Sequence, residues 1–134
     1  MTYSCTARAT SKNDASLNIK QFEIRFGTTA DTADTLPNPA ELFLGSLAAC
    51  ILKNVERFSE LMNFEYRTAA LHITATRLEK PPRMDDIHYT LKIHTPETQL
   101  NTALLQKNIE KFGTIYNTVK VSARISGELE VVAD

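Results

Sequence analysis

Apolar positions along the chain change period several times, and each change marks an element. From Ile87 to Ile93 every second residue is apolar (Ile87, Tyr89, Leu91, Ile93), with His88, Thr90, Lys92 and His94 interleaved. This is the mark of a strand with one buried face. Residues 65–79 behave likewise, Leu71, Ile73 and Ala75 on one parity and His72, Thr74 and Thr76 on the other. Pro81-Pro82 forces a break, so 65–79 and 84–95 are expected to form a long β-hairpin. Val121, Ala123, Ile125, Leu129 and Val131 alternate with Ser122, Arg124, Glu128 and Glu130 and predict a closing strand. The N-terminal pattern is looser. Residues 2–10 predict a first strand, Ser11-Lys12-Asn13-Asp14 a turn, and 17–26 a second strand. In that second strand the alternation slips, Leu17 and Ile19 on one parity and Phe22, Ile24 and Phe26 on the other. A bulge near Lys20-Gln21 is expected to repair it. Gly27 to Pro37 follows as a polar connector.

The strongest signal is helical. Asn38 suits an N-cap, Pro39 suits the first helical position, and Glu41 completes a capping box. The helix they open is expected to reach about Met62 and to end near Asn63. Its first half is apolar nearly all round (Leu42, Phe43, Leu44, Leu47, Ile51, Leu52). In its second half Val55, Phe58, Leu61 and Met62 oppose Lys53, Glu56, Arg57 and Glu60. A helix apolar on every side needs cover on every side, more than one small sheet supplies, so a second copy of the chain is expected to cover it. Gly45, Ala48 and Ala49 would admit another helix closely. A second helix is predicted over 96–112, with Leu100, Ala103, Leu104, Asn108 and Phe112 on its apolar face and Gly113 just past its end. Ile115 to Val119 add one more turn. The order β-β-α-β-β-α-β, with no linker dividing it, predicts a single α+β domain over residues 1–134.

Charge removes several functions. Fifteen basic and sixteen acidic side chains give a formal charge of -1, which leaves no electrostatic footprint for nucleic acid or an anionic membrane. No run of about 18 apolar residues exists, so no membrane span is expected. The N-terminus lacks the apolar core of a signal peptide, and two cysteines make no disulfide framework. The cytoplasm is the expected compartment. His72, His88 and His94 fall on polar strand faces without convergent acidic or cysteine neighbours, so no metal is expected. No phosphate loop or Ser-His-Asp spacing occurs, and no cofactor is expected.

Reactive chemistry narrows to Cys50, a thiol on the apolar helix. A free cysteine there also reads as a small buried hydrophobe. Burial in apolar surroundings raises a thiol's pKa, and a mid-helix position gains nothing from that helix's own dipole. A reactive Cys50 therefore needs a cation, and Arg8, Arg25, Lys53 and Arg57 are the candidates. Cys5 could pair with it only if the first strand came within about 7 Å, Cα to Cα.

Pro37-Asn38-Pro39-Ala40-Glu41-Leu42-Phe43-Leu44-Gly45-Ser46-Leu47-Ala48-Ala49-Cys50 resembles the signature opening the central helix of the osmotically inducible protein C / organic hydroperoxide resistance family. There a Pro-x-Glu-Leu start leads through small and apolar residues to a cysteine. Gly113-Thr114-Ile115-Tyr116-Asn117-Thr118-Val119 matches a second family stretch, which in the peroxidase members begins Cys-Pro and continues to Asn-Thr-Leu. The resemblance covers nearly the whole chain. It implies a tight homodimer with central long helices and a thiol site at the interface. In the peroxidase members a cysteine thiolate attacks a hydroperoxide, the sulfenic acid condenses with a second cysteine, and an arginine and a glutamate assist.

This sequence departs from that pattern. Gly113 stands at the second cysteine and Thr114 at the proline, so that internal disulfide is ruled out. Ala40 stands where the hydroperoxide-resistance branch has its glutamate. Glu41, nine residues before Cys50, is about 900° of helix away and points elsewhere; capping explains it best. Lys12 falls near the position of the peroxidase arginine, and also reads as a solvated turn lysine. Gly113, Tyr116 and Leu47 are expected to line the pocket.

Two functions follow. In one, Cys50 reacts with an organic hydroperoxide or another small electrophile and an external thiol completes the cycle. In the other, the dimer is non-catalytic and holds an apolar small ligand at the subunit interface.

Overall fold

The slip in alternation at Lys20-Gln21 proves to be a turn between two strands, not a bulge within one. A computed structural model describes residues 1–133 of the chain. β1 (Thr6–Ala9), β2 (Ala15–Ile19) and β3 (Phe22–Phe26) form an antiparallel sheet in that order, and Ile19 pairs with Phe22 across the two-residue loop. Lys20 sits at φ 54°, the left-handed region that short hairpin loops demand. Neither Asn-Gly nor Asp-Gly announces the loop, so periodicity alone joined two strands into one.

The chain falls into two compact units, Met1–Phe43 and the remainder from Leu44 onward. In the first, Asp14 clamps the connector that follows β3. One carboxylate oxygen accepts from the Thr28 amide at 2.9 Å, the Thr29 amide at 3.1 Å, the Thr29 hydroxyl at 3.0 Å and the Thr32 hydroxyl at 2.7 Å. The Thr32 hydroxyl and the Thr28 amide are the main reasons its pKa drops to about 2. Because the folded value lies below the unfolded one of about 3.9, this clamp is fully stabilising above about pH 4 and is lost as pH falls toward 2. Asp14→Asn is expected to flatten the acid limb of the stability curve in that window, as measured by circular dichroism during acid titration.

α1 (Pro39–Leu61) spans the division between the units. Its capping box is formed as the sequence predicts: the Glu41 amide donates to Asn38 Oδ1 at 2.8 Å, and the Asn38 amide donates to Glu41 Oε1 at 3.0 Å. Asn63, at φ 55°, turns the chain out of the helix. Leu47, Ile51, Val55 and Phe58, spaced at three and four residues, put one stripe into the core.

β4 (Thr68–Glu79) and β5 (Pro82–Thr95) make the expected antiparallel hairpin. The chain then runs through α2 (Thr102–Lys111) and α3 (Thr114–Val119) and returns as β6 (Ile125–Ala133), parallel to β5. β5 is central, and Ile87, Tyr89, Leu91 and Ile93 are buried against α1, α2 and α3, as their alternation predicts. Three expectations fail here. α2 starts at Thr102, because the Asn101 side chain accepts from the Leu104 amide at 3.0 Å and caps it there. Its buried face is Leu105 and Ile109, whereas Leu104 and Phe112 are 43% and 45% exposed. Val121 lies in the turn before β6, 83% exposed.

Gly127 faces the Tyr89 ring across the parallel pair. A Cβ there would lie 2.0 Å from Tyr89 Cζ, so the glycine is required by the close approach of the ring. Gly127→Ala is expected to cost about 1–3 kcal/mol and lower Tm by roughly 4–11 °C in a thermal melt.

Candidate active site

Cys50 sits on α1 between Leu47 and Ile51, which are fully buried. Its own side chain is half-buried, on the flank of the core stripe. The sulfur meets the corner between α2 and α3. At that corner Gly113 has φ -81° and ψ 117°, a backbone any residue adopts, so the left-handed helix ending that a glycine there suggests is absent. Space is what requires glycine. A Cβ at 113 would lie 3.0 Å from Cys50 Sγ, 3.0 Å from Tyr116 Cβ and 3.1 Å from the Ile109 carbonyl oxygen. Each is closer than side chains ordinarily pack, so a neighbour would have to give by a few tenths of an ångström.

Side chains of two asparagines, Asn54 and Asn117, hold the corner by hydrogen bonds. Asn54, one turn beyond Cys50, donates through Nδ2 to the Ile109 carbonyl at 3.2 Å. That bond ties α1 to the last turn of α2. Asn117 donates through Nδ2 to the Lys111 carbonyl at 2.9 Å, and its amide donates to the Gly113 carbonyl at 2.9 Å. Asn117 thereby closes off α2 and starts α3, which gives the Tyr116-Asn117-Thr118 run a physical reason. Behind it lies a second set of polar groups. The Tyr89 hydroxyl donates to Glu110 Oε2 at 2.6 Å, and Gln106 Nε2 donates to the Tyr89 hydroxyl at 3.1 Å and to the Gly127 carbonyl at 2.9 Å. Burial first, and the nearby Glu110 carboxylate second, push the Tyr116 phenol up to about 12. The same two causes push Tyr89 higher still. Both phenols therefore stay protonated donors at any physiological pH.

The structure brings Cys50, Gly113 and Tyr116 together. Leu47 is sealed, 0% exposed, within the core that includes Tyr116. Glu41 lies in the first unit with its carboxylate occupied in the capping box. Lys12, also in that unit, sits exposed at φ 66° in the turn between β1 and β2. Among the candidate cations, Arg8 and Arg25 flank Ser16 in one row of the first sheet. Arg57 lies over the Phe58 ring at 5.4 Å and the Phe112 ring at 5.8 Å, a cation–π arrangement that sets its guanidinium on the residue preceding Gly113. Sequence reasoning missed Asn54, Gln106 and Glu110. A polar residue on the apolar stripe of α1 was a signal for Asn54; nothing local marks the other two. Both cysteines are unpaired. Among the described residues, no helix is long and apolar enough to cross a membrane, and no three His, Cys, Asp or Glu side chains converge as a metal site.

A family model described as OsmC-like protein matches residues 32–128. No curated protein matches the chain significantly. Among solved structures, an OsmC-like protein from Mycoplasma pneumoniae superposes with a TM-score of 0.88 at 17% identity, over 98% of this chain and 98% of that one. An organic hydroperoxide resistance protein OsmC from Legionella pneumophila gives 0.70 at 13% identity, over 96% and 98%. The organic hydroperoxide resistance protein OhrB of Bacillus subtilis gives 0.61 at 19% identity, over 97% and 98%. At these identities the likeness is one of fold.

Proposed function

Because the chain belongs to the family of OsmC-like proteins, we propose that it is a thiol protein of oxidative-stress defence in which Cys50 reduces organic hydroperoxides and an external thiol resets it. The observation that carries this reading is the Cys50 sulfur, half-buried and set against the one corner of α2 and α3 that lacks a side chain. The Cys50 thiolate attacks an oxygen of ROOH. The S–O bond forms as the O–O bond breaks, and the alkoxide leaves and takes a proton to become ROH. Sulfur is oxidised to the sulfenic acid and the peroxide is reduced. With glycine at 113, that corner offers no second thiol. An external thiol attacks the sulfenic sulfur, releasing water and leaving a mixed disulfide; a second thiol then frees Cys50 and carries off the disulfide.

The reading includes a homodimer in the cytoplasm. Leu61, Leu104, Phe112 and Val121 are 65%, 43%, 45% and 83% exposed in the second unit, apolar side chains that a second copy of the chain would cover. Two unpaired cysteines agree with a reducing compartment. Light scattering is expected to give roughly 30 kDa, twice the 15.0 kDa chain; a mass of one chain at micromolar concentration contradicts the dimer. For the chemistry, consumption of tert-butyl hydroperoxide with dithiothreitol is expected to saturate with peroxide and to depend on Cys50. Turnover that survives Cys50→Ser removes the proposal.

A further inference from the structure

Three lysines gather on one cleft beside the Cys50 corner. Lys107, Lys111 and Lys120 line a wide, open depression of about 630 Å³ together with Gln106, Glu110 and Tyr116. Lys107 and Lys111 stand one turn apart on α2, and Lys120 follows the last residue of α3. The chain as a whole carries a formal charge of -1, so three ammonium groups against one carboxylate is a local excess of positive charge. That carboxylate is itself engaged: Glu110 accepts from the Tyr89 hydroxyl at 2.6 Å and lies 3.5 Å from Gln106 Nε2. Lys107 and Lys120 are left to face solvent, and the Lys111 ammonium lies over the exposed Phe112 ring at 5.3 Å from its centroid. Such a cleft concentrates small anions.

Tyr116 is the residue that this cleft shares with the Cys50 corner. It lines the cleft, while its Cβ and the Cys50 sulfur both lie 3.0 Å from the point a Gly113 Cβ would occupy. Residue 113, where a resolving sulfur would be attached, stands between Lys111 and Lys120 in the chain. Glycine leaves that role to an external thiol.

We propose that the lysine cleft holds the acidic groups of the reducing co-substrate, a small thiol bearing carboxylates, and aims its sulfur past Tyr116 at Cys50. This rests on the thiol reading of Cys50. The thiol of the co-substrate attacks the Cys50 sulfenic acid and displaces water, giving the mixed disulfide. A second molecule of it releases Cys50 and leaves as the symmetric disulfide.

The test compares thiols of different charge as reductants for one neutral hydroperoxide: mercaptosuccinate, 2-mercaptoethanol and cysteamine, with rates normalised to thiolate concentration. At low ionic strength kcat/KM for mercaptosuccinate is expected to exceed that for 2-mercaptoethanol about tenfold, with cysteamine slowest, and the ratio to shrink in high salt. In the triple variant Lys107→Gln/Lys111→Gln/Lys120→Gln the ratio is expected to fall to about one, whereas Lys92→Gln on the exposed face of β5 retains it. A ratio near one in the unaltered protein overturns the proposal, as does a ratio that survives the triple substitution. It is also overturned if the triple variant instead slows Cys50 oxidation by a carboxylate-bearing hydroperoxide, which would assign the cleft to the oxidant. These outcomes leave the thiol chemistry standing. Failure of Cys50 to be oxidised by any hydroperoxide removes both readings at once.

Discussion

Cys50→Ser is expected to lower hydroperoxide consumption by more than about a thousandfold while leaving the fold intact. A serine hydroxyl does not ionise near neutral pH, so no nucleophile remains where the sulfur stood. The exchange is nearly isosteric. Because the side chain is half-buried on the flank of the stripe formed by Leu47, Ile51, Val55 and Phe58, the core loses little. Thermal unfolding should therefore shift by only about 1 kcal/mol or less. Cys5→Ser, in the exposed arm before β1, is expected to leave turnover unchanged. A thiol function spread over both cysteines would show instead as a partial loss in each variant.

The second large effect concerns Gly113. Across a disulfide the carbon of one cysteine lies roughly 3 Å from the sulfur of the other, given an S–S bond of about 2.04 Å. A Cβ at 113 would stand 3.0 Å from Cys50 Sγ. Gly113→Cys is therefore expected to form a disulfide with Cys50 when treated with one equivalent of peroxide. Reduced, the variant should be less stable by about 1–3 kcal/mol, because the added atoms crowd Tyr116 and the Ile109 carbonyl. Oxidised, it closes a long loop between residues 50 and 113 and should gain about 4 kcal/mol over its own reduced form. Urea unfolding of the two forms measures the difference, and peptide mapping identifies the bond. Oxidation that leaves Cys50 unlinked to the introduced thiol would contradict the geometry of the corner.

Much of the frame was legible in the sequence, for local reasons. Asn38, Pro39 and Glu41 specify the start of α1 through hydrogen bonds made within one turn. The alternation of Ile87, Tyr89, Leu91 and Ile93 names the buried face of β5 because a strand's period is two. What escaped depends on distant partners. Nothing in the alternation of β6 reveals that it lies parallel to β5. α2 carries apolar side chains on more than one face, so Leu104 and Phe112 read as core when Leu105 and Ile109 fill it. The Cys50–Gly113 juxtaposition is hidden by the long stretch between them and emerged only through family resemblance. Glu110 gave no sign of itself, since its partner Tyr89 comes from another element.

The central claim is that the Cys50 sulfur is reachable by a small oxidant and reacts with it in the folded protein. Adding one equivalent of cumene hydroperoxide to the native, fully reduced protein in the presence of dimedone, then digesting it, reads this out directly. The expected result is a dimedone adduct on the peptide carrying Cys50 within seconds, with Cys5 unmodified. An adduct confined to Cys5, or one on Cys50 that forms only after denaturation, would show the sulfur to be packing and nothing more.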